Sequence, residues 1–216
     1  MRNGVIQFPA FYLLDQGFEE THGLDAGRAV LSELERTGLL KGVKPGQKVL
    51  ITAGSRGIDC MVEVLNTLAG AVKQKGASPS ILPAMGSHGG GTARGQIAVL
   101  EHLGQTEETL GAPLLDRLEP VEIGEVGGCP VYAERAAVHA DHIILVNRVK
   151  EHTEFIGEIE SGLIKMAVVG LGRIAGAEVM HQLAVNSTYE KAILEIARVL
   201  FEKLPIRVGM AILEDK

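Results

Sequence analysis

The residues best suited to chemistry in this sequence are three histidines, one lysine in an apolar run and a few cations at strand ends. His88 lies in Gly86-Ser87-His88-Gly89-Gly90-Gly91-Thr92, where the glycines leave its imidazole accessible. The loop leads into a helical pattern, so backbone N–H groups and the helix dipole would favour an anion there. It lacks the Lys-Ser/Thr ending of a phosphate-binding P-loop, and its spacing does not match GxGxxG. His152 closes Asn147-Arg148-Val149-Lys150-Glu151-His152, which puts an imidazole beside Arg148 and Lys150 after a strand. Two imidazoles on neighbouring loops can act as general acid and general base, because each titrates near neutrality. The same residues also suit a solvated loop and a polar strand-end surface.

Lys165 sits among Leu163, Ile164, Met166, Ala167, Val168 and Val169. Desolvation there would depress the amine's pKa and suit it to covalent chemistry; the alternative is a lysine snorkelling from a helix. His181 follows in a helical stretch and by itself predicts nothing.

These groups must be positioned by the elements around them. Apolar spacing predicts helices over 24–40, 59–75 and 93–103, and strands over 48–52 and 80–85. Each strand is followed by a turn, the first being Ala53-Gly54-Ser55-Arg56-Gly57 and the second the glycine loop. Two successive strand, loop and helix units imply right-handed crossovers and a parallel sheet, with function on the loops at its carboxyl edge. Residues 120–132 read as short strands or a hairpin, 142–147 as a buried strand, 160–169, 176–185 and 188–203 as helices, and 206–213 as a last strand. The expected fold class is therefore α/β, a mostly parallel sheet flanked by helices in a Rossmann-like three-layer arrangement.

The chain of 216 residues is long enough for one domain with a substantial core. Glycine, at 27 residues, is roughly twice its typical share of about 7%, without collagen periodicity. Net charge is −6, no segment concentrates Lys and Arg, and aromatics are only 4%, which argues against nucleic acid as a partner. No apolar run reaches the roughly 18 residues a membrane span needs, and the amino terminus lacks a signal-peptide pattern, so a cytoplasmic address is expected. Cys60 and Cys129 are isolated and read as small core residues.

Taken together, Gly86-Ser87-His88, Lys150-Glu151-His152-Thr153, Glu160-Ser161-Gly162-Leu163-Ile164-Lys165-Met166 and Gly176-Ala177 through His181 resemble the amino-terminal domain of the lactate racemase family, over roughly residues 45–185. The resemblance implies a racemase or epimerase of 2-hydroxy acids that uses a nickel pincer nucleotide. It implies Lys165 as the covalent attachment point of that cofactor, His181 as the protein's nickel ligand and Ser87 as a cofactor contact. It also implies His88 and His152 as the catalytic pair, with Arg56 and Lys150 on the substrate. A complete member carries a second, carboxyl-terminal domain, and the chain's ending at 216 is read as that domain's absence. The exposed cleft edge would then be apolar and would favour a homo-oligomer.

The lactate enzymes carry an acidic residue just before the arginine turn and a basic one after the histidine matching His88. This chain has Ala53-Gly54-Ser55 and three glycines there, so a larger, sugar-derived hydroxy acid is expected in place of lactate. Two other classes stand beside this reading: a module that binds a phosphate-bearing molecule without turning it over, and a metal hydrolase on His88, His152 and His181. No HxH or HExxH spacing supports the hydrolase.

Overall fold

The computed structural model describes residues 23–151 and 157–213. In chain order the elements are α1 (Ala26–Thr37), β1 (Lys48–Ala53), α2 (Met61–Gln74), β2 (Ser78–Pro83), α3 (Ala93–His102), α4 (Glu107–Leu110), β3 (Pro120–Val126), β4 (Cys129–Glu134), α5 (Arg135–Val138), β5 (His142–Arg148), α6 (Gly162–Lys165), α7 (Gly172–Val185), α8 (Tyr189–Lys203) and β6 (Ile206–Ile212). A 3-10 turn, His88–Gly91, precedes α3, and a π-helical turn, Met166–Leu171, joins α6 to α7.

Four strands form a wholly parallel sheet in the order β2-β1-β5-β6. β3 and β4 form a separate antiparallel hairpin. The central strands are buried on both faces, as continuous runs such as Val49-Leu50-Ile51 and Ile143-Ile144-Leu145-Val146 require. Their side chains alternate between two cores. Val49, Ile51, Ala53, Ile144 and Val146 join α1, α2 and Leu100 of α3 on one face. Leu50, Ile143 and Leu145 join α7, α8 and the hairpin on the other. The result is the three-layer α/β arrangement expected from the sequence.

The outer side of β2 is covered by residues 113–115: Ile81 N–H donates to Pro113 O at 2.8 Å, and Leu115 N–H donates to Ile81 O at 2.9 Å. Its inner side pairs with β1, and beyond the ladder Ala84 N–H donates to Ala53 O at 2.8 Å. Cys129 is buried, and Cys60 is half-buried against the first core. Among the described residues no helix is long and apolar enough to cross a membrane.

Where the sequence suggests one helix over 160–169, the chain instead makes the single turn of α6 and then the wider π turn. Gly170 lies in this turn against the end of β2: a Cβ there would stand 2.5 Å from Met166 Sδ and 3.2 Å from Ala84 Cβ, so a larger residue would force these neighbours to shift.

Candidate functional site: a cationic cleft at the switch point of the sheet

From β1 the chain crosses to β2 on one side, and from β5 it crosses to β6 on the other. The carboxyl ends of β1 and β5 therefore face a topological switch point, the place where open α/β sheets leave a crevice. The backbone ladder between these strands covers only Val49↔His142, Leu50↔Ile143 and Ile51↔Ile144. One step further Thr52, fully buried, continues the connection by side chain: its Oγ1 accepts from Val146 N–H at 2.9 Å.

A cleft of about 200 Å³ opens there. Ser55 and Arg56 come from the turn after β1, and Ala84, Met85 and His88 from the segment after β2. Asn147, Arg148 and Lys150 come from the end of β5, and Lys165, Met166 and Val169 from α6 and the π turn. Among the described residues the lining holds two arginines, two lysines and a histidine but no carboxylate. That set of cations suits an anionic ligand, and Ala84, Met85, Met166 and Val169 supply an apolar part of the same lining.

Each wall is fixed by bonds within the chain. On the β5 side, Asn147 Nδ2 donates to Gly162 O at 2.9 Å and Lys150 N–H donates to Ser161 Oγ at 2.7 Å; Ser161 in turn donates to Lys150 O. These bonds dock the start of α6 on the strand end and carry Lys165, half-buried, to the cleft wall. On the β2 side, the fully buried Gln96 of α3 donates through Nε2 to Gly86 O at 2.8 Å and to His88 O at 3.1 Å. Gly89, Gly90 and Gly91 all have positive φ, so the loop closes tightly around that amide. His88 Nδ1 lies 2.5 Å from Ser55 Oγ, which joins the loops after β1 and β2 across the cleft.

Behind the wall stands a buried ion pair. Arg173, 3% exposed, approaches Glu134, 1% exposed, with Nε 3.8 Å from Oε2; its Nη1 donates to Pro83 O at the end of β2. Burial pushes the Arg173 guanidinium below its ordinary range, and the Glu134 charge opposes that shift. The residue adopts φ 62 and ψ −153, a conformation that costs a non-glycine residue about 1–3 kcal/mol. This kink separates the π turn from the rest of α7.

Arg56, His88, Lys150 and Lys165 are thus brought to one cleft. Ser87 is exposed beside it and outside its lining. His181 is also exposed and outside the lining; its Nδ1 is 3.2 Å from Tyr189 Oη and the two rings meet edge to face. His152 falls outside the described residues. Among the described residues no three His, Cys, Asp or Glu side chains gather as a metal site. The sequence reading gave no role to Ser55, Gln96 or Arg173, and quoted Asn147 and Ser161 only as members of their clusters. Ser55 adjoins Arg56 in a strand-end turn, Asn147 opens the cluster after β5 and Arg173 interrupts an apolar, glycine-rich run, so these carried a signal; Gln96 carried none. No protein-family model and no curated protein matches this chain.

Proposed function

We propose that the chain is the cofactor-bearing part of a racemase or epimerase acting on a 2-hydroxy acid, sugar-derived in preference to lactate, with a nickel pincer nucleotide linked to Lys165. The observation that carries this reading is the presence of Arg56, His88, Lys150 and Lys165 on one cleft at the switch point. The attachment side of the cofactor fits what surrounds it: Lys165 is on the wall, the floor is apolar, and the cations of the lining suit a nucleotide phosphate. The metal side does not share that fit, because His181 stands outside the cleft beside Tyr189. His181 as nickel ligand and His152 as second base rest on the sequence resemblance.

When bound, such a cofactor supplies a hydride acceptor and donor. The chain's own residues do the rest. Arg56 offers the planar pair of donors that a substrate carboxylate accepts. His88 would take the proton of the substrate hydroxyl and later give it back. Arg148 and Lys150 hold negative charge near the end of β5. Inversion at carbon needs a second base on the opposite face, the role proposed for His152.

The cationic lining also favours a second reading, a small-anion or phosphate-binding module without turnover. Intact-mass and nickel analysis after co-expression with cofactor-making enzymes separates the two. The racemase reading expects a mass increment that Lys165→Ala abolishes, nickel that His181→Ala abolishes, and conversion of a single hydroxy-acid stereoisomer to its epimer, seen as a changed optical rotation. An unmodified, nickel-free chain that still binds inorganic phosphate, and loses it in Arg56→Ala, would establish the binding module instead.

A further inference from the structure

We infer that Ser55 is a positioning residue that holds the proton of His88 on Nδ1 and so makes Nε2 the atom that exchanges a proton with the ligand. The inference deepens the proposed reaction and rests on His88 acting there as a base. Ser55 Oγ and His88 Nδ1 are 2.5 Å apart, and both residues line the cleft. The backbone that carries the imidazole is held as well, since the buried Gln96 amide donates to the carbonyls of both Gly86 and His88. With Nδ1 engaged by Ser55, proton exchange falls to Nε2.

A serine hydroxyl can donate to Nδ1 or accept from it, and the role of His88 as a base selects the second direction. A neutral imidazole accepts a proton on Nε2 only if its own proton resides on Nδ1, and that tautomer is favoured when Nδ1–H has an acceptor. Ser55 Oγ is such an acceptor. Once Nε2 takes the hydroxyl proton, the imidazolium keeps the same Nδ1–H to Oγ bond, so no hydrogen bond has to reverse during transfer. A hydroxyl is neutral and therefore does not hold the added proton as a carboxylate would. This suits a group that must give the proton back in the same turnover.

The test is the tautomer of His88, read from two-bond ¹⁵N–¹H correlations in histidine-labelled protein at a pH where imidazoles are neutral, with the signal assigned by its loss in His88→Asn. The Nδ1–H form is expected as the major species in the parent chain and as the minor one in Ser55→Ala. Ser55→Thr, which restores a hydroxyl, is expected to return it. An unchanged tautomer in Ser55→Ala, or a major Nε2–H form in the parent, overturns the inference. This readout needs no cofactor. If the tautomer moves as expected but the loaded protein racemises nothing, the clamp stands and the proposed reaction falls.

Discussion

Glu134→Gln is the substitution whose effect can be worked most directly from this structure. Glutamine keeps the shape of the side chain and an acceptor for the Glu119 N–H, which bonds Glu134 Oε1 at 2.8 Å, so the change isolates the charge. At 3.8 Å and an effective dielectric of about 20, the lost attraction to Arg173 is about 4 kcal/mol. Removing one member of a buried pair in general costs about 3–5 kcal/mol, because the remaining charge is left uncompensated. For a chain of this size that corresponds to a fall in Tm of roughly 6–20 °C. Urea unfolding followed by circular dichroism measures it, with Arg173→Met and the double variant completing the cycle. Arg173→Met removes the stranded charge, so the double variant is expected to be more stable than Glu134→Gln alone. A Glu134→Gln protein within about 1 kcal/mol of the parent, or effects that simply add, would refute the view that this pair braces the cleft wall.

Other outcomes follow from the same bonds. Thr52→Val leaves the buried Val146 N–H without its acceptor and should cost about 1–3 kcal/mol in chemical denaturation, while Thr52→Ser should stay near the parent. In the glycine loop, Gly90→Ala meets no atom within 4 Å and should cost only the left-handed backbone, about 1–2 kcal/mol. Gly89→Ala adds a Cβ 2.5 Å from the backbone of Gly95, which should raise the cost by a further 1–3 kcal/mol or so and displace His88, visible as a shifted imidazole resonance. The side-chain hydrogen bonds from Arg135, with its charge, hold the exposed Glu119 carboxyl below its ordinary range. An NMR titration should find that carboxyl rising in Arg135→Ala. The depressed folded-state value means the pair's small contribution is present above the unfolded-state pKa and fades as pH falls through the folded one.

The strands were readable because Val49 to Ile51 and Ile143 to Val146 are apolar without alternation, a pattern that fits burial on both faces. The start of α8 was readable at Thr188, whose hydroxyl caps it, whereas α1, expected to run to 40, ends at Gly38 in the left-handed conformation. Strand order was not readable. It depends on which side of β1 each crossover takes, and no local spacing encodes that. The switch point came only with the topology, whereas Arg56, His88 and Lys165 were expected together at the carboxyl edge; His181, expected with them, lies outside the cleft lining. The path from Lys165 to His181 was hidden for a related reason: a π turn and the left-handed Arg173 intervene, so helical periodicity could not relate the two positions.

The strap over β2 has a consequence for self-association. In β2 the N–H groups of even-numbered residues face β1, so those of 79, 81 and 83 face outward. Positions 79 and 83 are prolines and have no donor, and the donor of Ile81 is already taken by Pro113. The outward side of this sheet edge therefore presents no N–H to an incoming strand. Even if the 113–115 strap peeled away, one donor alone would be uncovered, too few to template a growing sheet. The chain's resistance to edge-to-edge aggregation on this side is written into the strand itself and does not depend on its cover.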